Sequence, residues 1–393
     1  MPISLLVASS DEQFRESIRE SLLNIEHAKI VSTYPEVSSN LYIRVLQDLE
    51  RTPDAALIVD LAADPENALK AMEKVKQAAP EIYVIASNYH ADAEMVMASL
   101  RAGCNDFLVQ PVRRTEFRDV MARLERAPRR AVSGTSRLGK IYAFLGAKGG
   151  AGTTTIAVNF ATVLAQRKQS TVLVDLDSVG HDCATQIGTA PQHSIDEIGD
   201  NLSRMDQALF EGFVTRDTTG LLLVSPADQM EHRTRFTEPM FRELAAFLVE
   251  KYENTVIDAG RWMSDEIVLA ALDSASAVFL ILTQRFPAIR NAQRYIAALM
   301  RLGFHADQLR IVVNEYQKKS DANLASLDQI RQTLNQPVFA TIPFSPLALA
   351  AVNKGRPFVT DRAANSEIDR AVRALVAKAK GEKAPQKALE KSA

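Results

Sequence analysis

The chain has 393 residues, enough for two or three domains that each bury a core. Apolar residues make up 47% and charged residues 24%, as in an ordinary globular protein, and a formal net charge of −2 gives no overall pull toward nucleic acid or an anionic membrane. The two cysteines, Cys104 and Cys183, stand far apart in no ligand spacing, which suits a reducing cytosol and excludes a cysteine-held cluster.

The opening MPISLLVASSDEQF has no basic region, and its apolar run is too short for a signal peptide. No window approaches 18 uninterrupted apolar residues and no fixed repeat is visible, so a cytoplasmic protein without a spanning segment is expected. Ser4 to Ala8 reads as a strand, and Gln13 to Leu23 as a helix with Phe14, Ile18, Leu22 and Leu23 on one face. Ala55 to Val59 is a buried strand ending at Asp60, and Ile82 to Ala86 is another. Met95 to Arg101 is helical with Gly103 as its C-cap, Asp106 to Val109 is a strand closed by Pro111, and Glu116 to Leu124 is an amphipathic helix. Strands alternating with helices imply a parallel sheet covered on both faces.

The run SLRAGCNDFLVQPVRRTEFRDVMARL follows the A-L-x-A-G-A-x-D-Y-L-x-K-P pattern of response-regulator receiver domains, and residues 1–125 resemble that family. The resemblance implies a flavodoxin-like fold with Asp60 on the phosphoacceptor position. In the family, two acids after the first strand hold a divalent cation; here those positions are Ser9 and Ser10, with Asp11 one place late. The family's lysine before the proline is Gln110, which is neutral, and Ser87 stands at the Ser/Thr position. A degenerate receiver used for docking or dimerisation is therefore expected, with Asp60 a plain carboxylate at a strand end.

Arg126 to Lys140 (RAPRRAVSGTSRLGK) carries five basic residues and no acid, mixed with Pro, Gly and Ser, and reads as a solvated linker over 126–139. Lys140 to Thr155, KIYAFLGAKGGAGTTT, then gives a strand, a glycine loop and a helix start. That layout turns backbone N–H groups and a helix N-terminus toward a phosphate. From Gly146 the spacing to Gly152 fits a P-loop, but Thr153 occupies the lysine position and Lys148 lies inside the loop.

The loop resembles the deviant Walker A of the MinD/ParA family, K-G-G-x-G-K-[ST]-[ST]. The resemblance makes Lys148 the signature lysine, which in the family reaches across a nucleotide-sandwich dimer. It places Gly149, Gly150, Ala151, Gly152, Thr153, Thr154 and Thr155 around ATP, with Thr154 on Mg²⁺ and Thr155 on the α-phosphate. Ser170 to Val174 is a strand followed by Asp175 and Asp177, matching the family's D-x-D; Asp177 would orient the attacking water and Asp175 take a structural or Mg²⁺-linked role. Residues 180–219 read as mostly helical, with a packing or dimer stripe of Met205, Leu209 and Phe213. After a strand at Leu221 to Val224, Thr255 to Ile257 leads into Asp258, the Walker B acid by resemblance, which binds Mg²⁺ through water and accepts from the P-loop Thr; Gly260 replaces a frequent proline.

Ala277 to Leu282 reads as a strand, Thr283 to Arg290 as a loop, and Ile311 to Val313 as a strand ending at Asn314. The family reads adenine with that asparagine and closes the base pocket with the turn matched by FATIPF, including Pro343. Glu367 to Ala379 is amphipathic but lacks the large residues of an interfacial anchor, so a helix packed on the sheet is favoured over a membrane-targeting one. Residues 381–393 read as a disordered tail.

The expected architecture is α/β: a receiver-like (flavodoxin-like) domain over 1–125 and a MinD/ParA-type P-loop domain with a mostly parallel sheet over 140–380. The order of these motifs behind a degenerate receiver, with Thr153 in place of a lysine, resembles the CpaE/TadZ branch. That resemblance implies an ATP- and Mg²⁺-binding homodimer that positions Flp (tight-adherence) pilus secretion or assembly proteins. Hydrolysis would be weak or stimulated, and peripheral association with the inner membrane or cell pole is left open. The alternative is a ParA-like DNA-partitioning ATPase, which an acidic pI near 6.4 disfavours, so no nucleic-acid partner is expected.

Overall fold

The computed structural model describes residues 3–23, 25, 27–38, 41–127, 138–177, 180–226, 235–304, 306, 308–318, 323–360 and 366–382. The backbone divides into two units, Met1–Leu138 and Gly139–Ala393. Residues 128–137 of the expected linker and 383–393 of the expected tail lie outside the described residues.

In the first unit, β1 (Ile3–Ala8), β2 (Ala28–Tyr34), β3 (Ala56–Asp60), β4 (Tyr83–Asn88) and β5 (Asp106–Val109) form one parallel sheet in the order β2-β1-β3-β4-β5. This is the flavodoxin-like order, whose strand C-termini meet where the winding reverses between β1 and β3. Strands β1 and β3 are buried at every position, which is why each reads as an unbroken apolar run. β2 is an edge strand, mostly half-exposed, and its Ser32 and Thr33 hide it from an apolar-run criterion. The helices Leu41–Arg51 and Pro65–Ala78 complete the crossovers. Phe14, Ile18 and Leu22 of the helix Glu12–Leu22 join Phe117, Val120, Met121 and Leu124 of the helix Arg114–Arg126 in one core against β1, β3 and β4. Leu23 does not belong to that face: it follows the helix end and is 80% exposed.

In the second unit, β6 (Lys140–Gly146), β7 (Thr171–Asp175), β8 (Thr215–Arg216), β9 (Leu222–Val224), β10 (Asn254–Asp258), β11 (Ala277–Thr283), β12 (Leu309–Tyr316) and β13 (Val338–Pro343) form an eight-stranded sheet. Its order is β13-β12-β11-β6-β10-β7-β9-β8, parallel except for the short β8–β9 pair. β6 thus runs between β10 and β11 and delivers its C-terminus to the middle of the sheet. Beneath that point Phe144 stacks on Phe279 with ring centroids 4.7 Å apart, and Phe160 meets Phe144 edge-on at 5.1 Å. The helix Thr153–Gln166 carries no charged residue and is buried along nearly its whole length.

Two expectations change. Residues 180–219 break into the short helices Asp182–Ile187, Ile195–Asn201 and Gln207–Phe213. Met205 precedes the last of them, and its fully buried anchor is Phe210, packed on Phe247 and Tyr252, while Leu209 and Phe213 are half-buried. The stretch expected as a loop over Thr283 to Arg290 instead ends β11 and starts the helix Phe286–Arg301, where Pro287 occupies a first-turn position that needs no N–H donor.

The helix Glu367–Ala379 is docked. Ile368, Val372, Leu375 and Val376 share the core of the second unit, and Arg373 bonds Gln166 Oε1 at 2.9 Å. Among the described residues no helix is long and apolar enough to cross a membrane. Leu375→Ala should therefore destabilise the second unit by about 2–5 kcal/mol. Guanidinium unfolding followed through Trp262, the single tryptophan of the chain, reads this unit alone; an unchanged midpoint would mean the helix is not a core element.

Candidate functional site

The glycine loop is fixed by the strands beside it. Gly146 N–H donates to the Gly260 carbonyl at 2.8 Å, and Ala147 N–H to the Ile281 carbonyl at 2.9 Å, so the chain leaving β6 is tied to the exits of both neighbours. Ala147 is buried, whereas Lys148, Gly149 and Gly150 are exposed at the loop tip. Gly150 has φ +77°, and a Cβ built there would meet nothing within 4 Å, so the backbone faces open space. Gly152 has φ +83°, and a Cβ there would stand 2.3 Å from Asn314 Nδ2, so this position requires glycine for conformation and for space. Gly152 is also the N-cap of the helix Thr153–Gln166, which carries no acid in its first turn and no side-chain cap. Its free N–H groups and positive dipole end are left for an external anion.

Residues 148–155 line a cleft of about 270 Å³ together with Asp177, Asp182, Gln186, Gly260 and Arg261. Below it, at the ends of β7 and β10, Asp175 and Asp258 are buried with Cys183, and a ligand atom from each lies within 4.8 Å of the others. Asp175 accepts from Asp177 N–H at 3.0 Å and Cys183 N–H at 3.2 Å, while Asp258 accepts from Gly260 N–H at 3.2 Å and from the Thr154 hydroxyl. Burial raises the pKa of both carboxyls, and for Asp258 the charge of Asp175 adds to the rise. The Cys183 thiol is pushed up by burial and by the two acids, so it stays protonated.

The two residues assigned to the base are not among those that line this cleft. Asn314, at 8% exposure, donates from Nδ2 to the Ala151 carbonyl at 2.8 Å and so rivets β12 to the loop from beneath. Pro343 ends β13 beside Tyr316 and does not line the cleft. Asp182, Gln186 and Arg261 were not singled out from the sequence. Arg261 stands three residues after Asp258, and only the turn at Gly260 (φ +56°) brings it to the loop.

The cleft fits a nucleotide phosphate with a divalent cation. Gly150 leaves the cradle open, two buried acids lie under Thr154, and Gln186 Oε1 is buried without a hydrogen-bond partner among the described residues.

A second strand-end carboxylate, Asp60 in the first unit, is differently placed. Ser9 Oγ donates to its Oδ2 at 2.6 Å, and Gln110 Nε2 and the Ala62 N–H donate to Oδ1 at 2.7 and 3.0 Å. Asp11 caps the helix Glu12–Leu22 by accepting from Gln13 N–H at 2.8 Å. Ser87 Oγ donates to the Leu108 carbonyl at 3.0 Å.

A parallel sheet whose central strand feeds a glycine loop and an uncapped helix, above buried strand-end acids, defines a P-loop nucleotide-binding domain. Residues 142–358 match the CobQ/CobB/MinD/ParA nucleotide binding domain, and the chain belongs to that family. It is 24% identical over 255 residues to the septum site-determining protein MinD of Thermotoga maritima, covering 63% of this chain and 90% of the relative. The fold is that of a ParA family ATPase from Chlorobium tepidum (TM-score 0.56, 19% identity, 60% of this chain and 98% of the other). It is also that of MinD from Pyrococcus horikoshii, solved with Mg-ADP (TM-score 0.53, 17% identity, 62% and 96%).

Two predictions follow from the geometry. Gly150→Ala should cost only its backbone strain, about 1–2 kcal/mol, while Gly152→Ala should cost about 3 kcal/mol or more because it also displaces Asn314 from Ala151. Equal losses in Trp262-detected unfolding would refute that difference. Incubation with acetyl phosphate should leave Asp60 unmodified by intact-mass analysis, since neutral donors hold its carboxylate and Asp11 is engaged as the cap of the helix Glu12–Leu22. A phosphoaspartate would overturn the reading of this pocket as inert.

Proposed function

We propose that the protein is an ATP-dependent, dimerising spatial regulator of the CpaE/TadZ branch that positions Flp pilus secretion or assembly proteins from the cytoplasm, peripherally at the inner membrane or cell pole. The observation that carries this reading is an anion cradle with a neutral residue at its catalytic lysine position. Thr153 is only 9% exposed, and its Oγ1 lies 2.4 Å from where a Cβ on Gly146 would stand, so it is wedged into the loop base. A site that can seat ATP but lacks this cation stabilises the bound state better than the charge that develops in phosphoryl transfer, which suits a slow switch.

Thr154 and Asp258 would hold Mg²⁺, Asp258 through water, with Asp175 supporting it, and Mg²⁺ when bound offsets phosphate charge. Asp177 lines the cleft and would orient a water on the terminal phosphate. Gly149 to Thr155 would seat the phosphates. The base would be read by the side-chain atoms of Asn314 not engaged with Ala151, with Pro343 at the pocket edge. Lys148, exposed at the loop tip, would cross to the nucleotide of a second copy. The first unit, with Asp60 locked by Ser9 and Gln110, would serve as a docking or dimerisation module over residues 1–125, joined by a linker over 126–139 to an ATPase domain over 140–380.

The test is light scattering with Mg²⁺ and ATP, ADP or no nucleotide, beside phosphate release. An ATP-dependent dimer with little release is expected, and Lys148→Ala should weaken that dimer about tenfold or more, as for a lost charged hydrogen bond, while changing nucleotide affinity less. A dimer indifferent to nucleotide, or tight ATP-dependent binding to duplex DNA at physiological salt, would overturn the reading.

A further inference from the structure

The missing charge at position 153 has a counterpart in space. β10 ends at Asp258, and the turn after it is held at both ends: Gly260 N–H donates to Asp258 Oδ1 at 3.2 Å, and the Gly260 carbonyl accepts from Gly146 N–H at 2.8 Å. The turn needs the positive φ of Gly260, and a Cβ there would stand 3.0 Å from Asp177 Cγ. The next residue, Arg261, is thereby set against the flank of the glycine loop. Its Nη1 lies 2.9 Å from where a Cβ on Gly149 would be, and it lines the cleft.

The residue is held through its backbone and through its contact with Trp262. The Arg261 carbonyl accepts from the Tyr295 hydroxyl at 2.5 Å, and the guanidinium stacks over Trp262 at 4.6 Å from the ring centroid. Among the described residues it forms no ion pair. A guanidinium is permanently charged, presents donors in a planar fork that matches phosphate oxygens, and keeps its donor edge free when its face stacks on an aromatic ring. Arg261 thus lines the cleft together with Asp177 and residues 148–155, with its guanidinium beside Gly149.

We propose that Arg261 is a phosphate-binding cation of this cleft, distinct in position from the charge absent at Thr153, and that it makes the site prefer ATP to ADP by engaging the terminal phosphate. The inference rests on the nucleotide-binding reading of the cleft. It also gives Gly149 a second purpose, since any side chain there would push the guanidinium away.

Calorimetric titration of the full chain with Mg-ATP and Mg-ADP tests it, using wild type, Arg261→Gln and Arg261→Lys. Arg261→Gln keeps a planar group over Trp262 without the charge, and should weaken Mg-ATP about 10- to 100-fold, the scale of a lost charge-assisted contact, while leaving Mg-ADP nearly unchanged. Arg261→Lys keeps the charge but loses the fork, and should retain part of the ATP preference. An unchanged ratio of the two affinities in Arg261→Gln, or an equal loss for both nucleotides, would overturn the proposal while leaving the nucleotide site standing. A wild-type chain that binds neither nucleotide would instead overturn the reading of the cleft itself. The side chain is exposed, so the Trp262-detected unfolding midpoint should match wild type in both variants.

Discussion

The hydrogen bond from Gly146 N–H to the Gly260 carbonyl joins two strand exits that are more than a hundred residues apart in the chain. It places the start of the glycine loop, the turn after Asp258 and the position of Arg261 in one rigid relation. Ala147 N–H to Ile281 on one side, and Leu176 N–H to the Asp258 carbonyl at 2.9 Å on the other, extend the same stitching across β11, β6, β10 and β7. None of these bonds depends on a side chain. They depend on four adjacent parallel strands ending at one level, which is what the core of Phe144, Phe160 and Phe279 secures from below. Packing density sets the level, the backbone bonds convert it into a loop shape, and the glycines let the loop present N–H groups rather than side chains.

Burial and charge then work against each other beneath the loop. Asp175 and Asp258 lie close together with little water, and their carboxyls are shifted toward the protonated form. A divalent cation beside Thr154 reverses that tendency, because its field favours ionisation of both acids. The site is thus electrostatically incomplete alone, with an uncapped helix N-terminus asking for an anion above and two desolvated acids asking for a cation below. Those demands match the two halves of a metal–phosphate pair.

Much of this was legible because it rests on local patterns. The strands β6 and β11 are nearly continuous apolar runs since both faces of a parallel sheet are covered, and β10 and β11 each end on a polar residue, Asp258 and Thr283. What escaped was set by tertiary register. β2 is an edge strand whose half-exposed face dilutes its apolar run. Met205 and Phe213 share helical spacing, yet the helix begins only at Gln207, so Phe210 became the anchor. Asn314 lies two residues inside the end of β12 rather than at it, and its amide reaches the Ala151 carbonyl, a contact that no spacing encodes. Arg261 was invisible for the same reason, since its significance lies in the φ of Gly260 and a bond to Gly146.

Two aspartates show how one local arrangement serves opposite ends. Asp60 and Asp258 each close a buried parallel strand and each is nearly inaccessible to solvent. Asp60 receives hydrogen bonds on both oxygens from Ser9, Gln110 and the Ala62 N–H, all neutral donors of the first unit, so its charge is already shared among three donors. Asp258 has the Gly260 N–H and the Thr154 hydroxyl but also a neighbouring acid, so its charge remains costly until a cation arrives. The difference is made by residues that are neutral in one site and acidic in the other, not by the fold. A strand-end carboxylate becomes a chemical site only where its surroundings leave it unsatisfied, and on that criterion ligand chemistry belongs to the second unit.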